Sequence, residues 1–91
     1  MITAIVLIHA ERDRINDVAE SLADCEEVSE VYSVSGQYDL VSVIRVTGND
    51  LLARFVTQKM ATMDAIVHTE TMLAFQAYSR HDLDSMFGIG S

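Results

Sequence analysis

The sequence has no proline, no tryptophan, one cysteine and only six basic residues among its 91 residues. The single cysteine, Cys25, excludes an intramolecular disulfide, which fits a reducing compartment. Fourteen acidic residues against six basic ones give a net charge of −8. Because binding to DNA or RNA depends on phosphate neutralisation by lysine and arginine, this composition argues against direct nucleic-acid binding.

Long apolar runs are also missing, and no run approaches the ~20 residues that a transmembrane helix needs. The first 13 residues are rich in apolar side chains, but they carry no basic region and no cleavage pattern of a signal peptide. We therefore expect a cytoplasmic protein without a membrane segment. With 49% apolar and 22% charged residues, the chain has the composition of one small folded domain.

The hydrophobic pattern predicts the element order β-α-β-β-α-β. The strands at both ends are apolar at consecutive positions, the middle two alternate around a Gly36-Gln37 turn, and the two helices have apolar residues at helical spacing. Asp13 is the candidate N-cap of the first helix, and Asn49 or Asp50 of the second. Strands are predicted at residues 2–10, 27–35, 38–46 and 65–79, and helices at residues 13–24 and 50–63.

This order predicts an α+β, ferredoxin-like βαββαβ fold, with a four-stranded antiparallel sheet and both helices on one face. The helices cover only one face, yet the first and last strands are apolar on both. A bare apolar sheet face is unusual on a monomer, so we expect a two-fold dimer through facing sheets. Residues 1–79 form the predicted domain. Residues 80–91 form a tail, with one helical turn predicted to pack on a neighbouring subunit.

Residues with metal-ligand chemistry are few. His68 and Glu70 are two positions apart on one predicted strand, and the topology places His9 near them. Because such His/Glu pairs are frequent by chance, we favour polar residues at a sheet end or a dimer seam, and we predict no metal and no cofactor. The sequence has no phosphate-binding loop, dinucleotide fingerprint or nucleophile motif, so it offers no catalytic residue.

The turn from Gly36 to Asp39 has the most specific composition in the chain. Glycine permits a positive φ and leaves backbone amides uncovered, so the turn can receive a carboxylate. Asp39 can accept a hydrogen bond from an ammonium group. The uncovered amides and the Asp39 carboxylate together would suit a zwitterion such as a free amino acid. The alternative is a hairpin in which Asp39 only caps the turn, a common role for aspartate. The residues alone leave both interpretations open.

Three stretches together resemble the ligand-binding domain of the Lrp/AsnC family, over about residues 2–78. They are the hairpin "VYSVSGQYDLVSVIRV", the acid-capped helix "NDLLARFVTQKMATM" and the strand "AIVHTETMLAF". The family pattern at these places is a Gly-x-Tyr/Phe-Asp turn and a Thr-x-Thr element, here Thr69 and Thr71. The combination is more specific than either motif alone.

The resemblance implies an effector module that assembles from dimers and binds small molecules, usually amino acids, between dimers. It also implies partnership with full-length Lrp/AsnC regulators, which carry an N-terminal helix-turn-helix domain. Here Met1 leads straight into the first strand, so we expect a stand-alone module without a DNA-binding half. The residues carried over as ligand contacts are Gly36, Gln37, Tyr38, Asp39, Thr69 and Thr71.

Two alternatives stay open. The first is a small dimeric α/β-barrel enzyme such as a monooxygenase, with His9, His68 and Tyr32 as its candidate residues. The absence of tryptophan and of an acid–base pair counts against it, so we expect a protein that is not an enzyme. The second is a purely structural oligomerisation module, whose assembly would ignore every small molecule.

Overall fold

A computed structural model describes residues 1–78 and residue 80. The prediction of a helical turn in the tail falls, apart from Arg80, outside the described residues. A 3-10 turn at Arg12–Arg14 precedes α1, and α2 continues through a π-helical turn at Phe55–Lys59 and a 3-10 turn at Met60–Thr62. The elements are β1 Ile2–Ala10, α1 Ile15–Ala23, β2 Val28–Ser33, β3 Leu40–Val46, α2 Asn49–Arg54 and β4 Ile66–Ala74.

The four strands form one antiparallel sheet in the order β2-β3-β1-β4. The two strands that follow each other in the hairpin are neighbours, and each helix connects strands that are not. This is the predicted ferredoxin-like arrangement, so the predicted fold class is confirmed. The structure describes one chain, and the predicted dimer therefore stays a proposal.

The predicted helix caps are wrong. Arg14 occupies the N-cap position of α1, and Asp13 lies inside the preceding 3-10 turn. Gly48 occupies the N-cap position of α2, so Asn49 and Asp50 are the first residues of that helix. Neither helix has a side-chain hydrogen bond at its N-cap, so its stability comes from packing rather than from capping.

Strict alternation along β2 predicts that Val28 and Glu30 lie on the same side of the sheet, and this prediction is wrong. Its pairing with β3 shifts register between Val28 and Glu30. Val28 therefore pairs with Ile44, on the face under the helices, whereas Glu30 pairs with Val43 on the other face. A β-bulge inserts one residue, and this insertion breaks the strict alternation that the sequence pattern assumes.

The hydrophobic core lies between the sheet and the two helices. Every second residue of β1 and β3 is buried there, which is the period expected of strands with one face on a core. Phe55, at the start of the π turn, is the largest fully buried side chain. The buried apolar residues are Ala4, Val6, Ile8, Ala10, Val18, Leu22, Leu40, Ile44, Val46, Leu52, Phe55, Met60 and Ala65.

The face of the sheet away from the helices, here called the open face, is also largely apolar. Ile5 and Leu7 of β1 and Val41 and Val43 of β3 lie on it and are half-buried. Met72 of β4 pairs with Ile5 on this face and is 42% exposed. The first strand thus carries apolar residues on both faces, as its sequence indicates.

Candidate functional site

The candidate site lies at one end of the sheet, where β1 ends, β3 and β4 begin, and the β2–β3 loop turns. The loop is closed by a hydrogen bond from the Val34 amide to the Asp39 carbonyl at 3.0 Å. The Asp39 amide donates to the Ile8 carbonyl at 2.9 Å, which fixes the loop to β1. The residues after Gly36 are therefore held against the central strand of the sheet.

Asp39 also fixes the loop through its side chain. Its Oδ2 accepts a hydrogen bond from the Ala10 amide at 3.0 Å. β3 begins at Leu40, opposite Ile8, and the β1–β4 pairing is irregular between His9 and Ala10. The carboxylate oxygen thus accepts the hydrogen bond from the Ala10 amide that a backbone carbonyl would accept if β3 were longer. This is a structural role for Asp39, and it uses one of the two carboxylate oxygens.

Tyr38 connects the loop to both neighbouring strands on the open face. Its ring stacks on His9, with the ring centroids 4.4 Å apart and the planes 22° from parallel. Its hydroxyl donates a hydrogen bond to Glu70 Oε1 at 3.0 Å. This hydrogen bond to a carboxylate raises the pKa of Tyr38. Tyr38 therefore remains a neutral donor that links the loop to β4.

The tip of the loop is exposed and has unpaired backbone donors. Gly36 has φ +116°, a conformation that favours glycine, and a Cβ placed there would meet nothing within 4 Å. Among the described residues, no acceptor receives a hydrogen bond from the amides of residues 35–38. Such uncovered turn amides form the kind of concavity that binds anions.

Thr69 and Thr71 lie on the other side of the sheet from Tyr38. They pair with Ile8 and Val6, whose side chains are buried under the helices, whereas Glu70 shares the open face with Tyr38. Thr69 lines a cleft of about 370 Å³ between the end of the second helical segment and the start of β4. Gly36–Asp39 are not among the residues that line this cleft, so a single chain does not join the two predicted groups in one pocket.

His9 and His68 are brought together, as the topology predicts. They are directly opposite each other on β1 and β4, with ring centroids 6.2 Å apart. Glu70, the third member of the predicted cluster, instead accepts the Tyr38 hydroxyl. No three metal-ligating side chains converge anywhere in the part of the chain that the structure describes.

Cys25 is a partly buried free thiol just after the end of α1. Burial raises the pKa of its thiol, and its Sγ donates to the Ser21 carbonyl at 3.3 Å. The contacts that the sequence did not predict are those of the Ala10 amide and of the His9 ring. A backbone amide leaves no mark in a sequence, and the His9–Tyr38 stack depends on the register between β1 and β3.

A comparison with protein families shows the family to which the chain belongs. A family model described as "Lrp/AsnC ligand binding domain" matches residues 3–83. The chain belongs to the Lrp/AsnC family. The resemblance of the hairpin, the second helix and the last strand is thereby confirmed. Across residues 1–78 and residue 80, no helix has the length and apolarity to cross a membrane.

Individual relatives agree with the family. An uncharacterized HTH-type transcriptional regulator of Bacillus subtilis, YugG, is 42% identical over 67 residues, which are 74% of this chain and 40% of YugG. The chain spans about half the length of the curated relatives it matches, or less. The structure of TTHA0845 from Thermus thermophilus is 44% identical with a TM-score of 0.81, and the match covers 88% of this chain and all of that one.

A more distant protein with the same fold was solved in complex with a small molecule. It is the transcriptional regulator NMB0573 of Neisseria meningitidis, in complex with L-Met, with a TM-score of 0.78 over 87% of this chain and 53% of that chain. At 15% identity the likeness shows a shared fold.

Proposed function

We propose that this chain is a cytoplasmic, non-enzymatic effector module that binds a small zwitterion, an amino acid above all, at the loop from Gly36 to Asp39. In this proposal the chain forms dimers through the open face, and the dimers assemble further. The effector binds between dimers and shifts the assembly. Regulation of transcription passes through co-assembly with longer family members that carry a DNA-binding domain. A ligand has this effect only if it binds one assembly more tightly than another.

The proposal rests on one observation: the loop from Gly36 to Asp39 has backbone amides without an acceptor close to a carboxylate oxygen, Asp39 Oδ1, without a donor. The amides of residues 35–38 donate no hydrogen bond to any described residue, and uncovered turn amides of this kind can bind a carboxylate group. Asp39 uses Oδ2 for Ala10, and the described residues give Oδ1 no donor. An ammonium group can therefore be bound by Oδ1 while the amides bind the carboxylate of the same molecule.

Thr69 and Thr71 fit the proposal only if a second subunit takes part. Within one chain they lie on the helix side of the sheet, away from Tyr38. The cleft that Thr69 lines opens at the same end of the sheet. A neighbouring dimer that inserts its loop into this cleft would bring the two groups together, as a site between dimers requires.

The open face supports the proposed dimer. Four half-buried aliphatic residues of the two central strands lie on it, and Arg45 and Glu30 lie toward the β2 side, 3.7 Å apart. An apolar centre with a polar border is the usual anatomy of a protein interface. Replacing Leu7 by lysine would place a charge in the centre of this face. We expect light scattering to show a smaller assembly for Leu7→Lys than for the wild type.

The names of one relative and one structural neighbour support a regulatory role and a small effector. The Bacillus relative is named a transcriptional regulator, and the Neisseria regulator was solved with L-Met. The family model itself describes a ligand-binding domain. None of these names an enzyme.

Calorimetric titration with the twenty amino acids tests the proposal. Gln37→Ala is the site variant, because Gln37 is exposed at the loop tip and makes no hydrogen bond with a described residue. Gln58→Ala, at an exposed helical position, is the matched control. We expect at least one amino acid to bind, with weaker binding in Gln37→Ala and unchanged binding in Gln58→Ala. Heat-silent titrations with all twenty would refute the site, whereas equal binding by both variants would show that the Gln37 side chain is not one of its contacts.

A purely structural oligomerisation module predicts a different result. Its assembly state would be the same with and without every amino acid, whereas our proposal expects the bound amino acid to change it. Light scattering at matched protein concentration, with and without the amino acid that binds in calorimetry, separates the two.

A further inference from the structure

The two histidines at the end of the open face form a pair with room between their rings. His9 and His68 occupy directly opposed positions on β1 and β4, so their side chains leave the sheet on the same face. The His9 side chain is 40% exposed, and His68 is exposed. The pair lies beside the loop rather than at the centre of the open face, so solvent ions have access to it.

The separation of the rings suits a shared metal ion. An imidazole nitrogen binds Zn²⁺ at about 2 Å, which places the ring centroid roughly 3 Å from the ion. Two imidazoles on one tetrahedral ion then have centroids roughly 5 Å apart. The observed separation is 6.2 Å, with the planes 34° apart. Because His68 is exposed, a change in its side-chain torsions can bring the rings closer without disturbing the core.

The Asp39 carboxylate lies close to the His9 ring. Asp39 Oδ2 lies 3.7 Å from His9 Nδ1. Metal-binding histidines usually donate their second ring N–H to a carboxylate, which orients the ring and makes it a better ligand. With Nδ1 toward Asp39, the other nitrogen, Nε2, is available to a metal. Glu70 adds a second negative charge on the same face, two residues from His68.

We propose that His9 and His68 bind a divalent transition-metal ion that prefers imidazole, such as Zn²⁺, Ni²⁺ or Cu²⁺. His9 binds through Nε2, with Asp39 as its orienting partner, and His68 supplies the second nitrogen. Water fills the remaining positions, because the described residues bring no third ligand to the pair. The His9 ring also stacks on Tyr38. A bound ion would therefore hold His9, and through it Tyr38, in place beside the loop from Gly36 to Asp39.

Metal titration of the full chain, freed of metal with a chelator, tests this site. The variants are His9→Gln and His68→Gln, and the control is His81→Ala, which removes the third histidine of the sequence. With Zn²⁺ at about pH 7.5 we expect one ion per chain in the wild type and in His81→Ala. Each of the other two variants should bind at least roughly tenfold more weakly. Binding should also weaken from about pH 7.5 to about pH 5.5, because protons compete for imidazole.

Electron paramagnetic resonance with Cu²⁺ supplies a readout that does not depend on affinity. The wild type should show hyperfine coupling to two nitrogens, and each histidine variant to one. Circular dichroism of the metal-free variants verifies that they fold, which we expect because both rings are partly exposed. If Zn²⁺ binds equally to the wild type and to both glutamine variants, or if only His81→Ala loses it, the proposal is wrong.

Discussion

The Asp39 side chain and the Ala10 amide are joined by a hydrogen bond of 3.0 Å across the end of the sheet. Asp39 therefore has a folding role that is independent of any ligand. Its other carboxylate oxygen, Oδ1, accepts no hydrogen bond from a described residue. A test that deletes Asp39 changes both roles together, so the folding role has to be measured first.

Replacing Asp39 by alanine should destabilise the chain. The Ala10 amide, in a residue that is 9% exposed, would lose its acceptor, at a cost of about 1–3 kcal/mol. Asp39→Asn retains an acceptor oxygen and should lose less. Urea denaturation of the ligand-free protein measures both variants. Equal stability of wild type and Asp39→Ala would contradict the structural role.

Gly36→Ala should also destabilise the chain, through backbone strain alone. Gly36 has φ +116° with open space around it, so an added methyl group strains the backbone without a clash, at about 1–3 kcal/mol.

Gly48→Ala is the matched control for this change. Gly48 has an extended φ of −160° and equally open space. Alanine there loses a preferred N-cap residue but restricts the unfolded chain, and the two effects nearly cancel. Thermal melts should therefore separate the two glycine variants. Equal melting temperatures would contradict the positive φ at Gly36.

Ser42→Ala should stabilise the protein, by up to about 1 kcal/mol. Ser42 is 0% exposed in the core, and its Oγ has no hydrogen-bond partner among the described residues. Alanine removes this unsatisfied hydroxyl from between Val6 and Val31. Ser33→Ala, at an exposed position of β2, should change the free energy of unfolding little. A clear loss of stability in Ser42→Ala would show that the hydroxyl has a partner.

The Lys59–Glu27 ion pair should contribute a pH-dependent stability. Lys59 Nζ donates to both carboxylate oxygens, at 2.9 and 3.0 Å. The hydrogen bond from Lys59 lowers the pKa of Glu27, and the hydrogen bond to Glu27 raises the pKa of Lys59. Because the pKa of Glu27 is lower in the folded than in the unfolded chain, its stabilising contribution is present above the unfolded-state pKa and is lost as the pH falls through the folded-state pKa. Because the pKa of Lys59 is higher in the folded chain, its contribution is present below the unfolded-state pKa and is lost as the pH rises through the folded-state pKa.

Lys59→Met should accordingly melt below the wild type at pH 7, with the difference vanishing near pH 3. Arg12→Met is the control, because Arg12 makes no ion pair with a described residue. The Arg12→Met melting temperature should follow that of the wild type at both pH values. A Lys59→Met difference that stays constant from pH 3 to pH 7 would contradict the linkage.

The fold was predictable because its determinants are periodic. Alternation in the hairpin and helical spacing in the two helices lead to the observed sheet order. The β2 bulge and the missing helix caps were not predictable, because Val28 follows the alternation pattern and Asp13 has the chemistry of a cap. Local preference at these positions gives way to the packing of each element on the sheet.

For the candidate site, the sequence predicts the types of residue but not the contacts that they make. The sequence identifies Gly36 as a turn glycine and Asp39 as an acceptor, and it places His9 near His68. It does not reveal that Asp39 binds Ala10, because that contact joins residues 29 apart and depends on where β3 begins. It also does not reveal that Thr69 and Tyr38 lie on opposite faces, which follows from the β1–β4 register.

Hydrogen exchange measured by mass spectrometry tests the central claim most directly, because it locates a bound effector whatever the size of the assembly. The exchange of peptides that cover residues 34–39 should be compared with and without each amino acid at saturating concentration. We predict that the amino acid that binds slows exchange of the amides of residues 35–38, and that Gln37→Ala diminishes this protection. If no amino acid slows exchange there, or if protection is confined to other parts of the chain, the effector site is not at this loop.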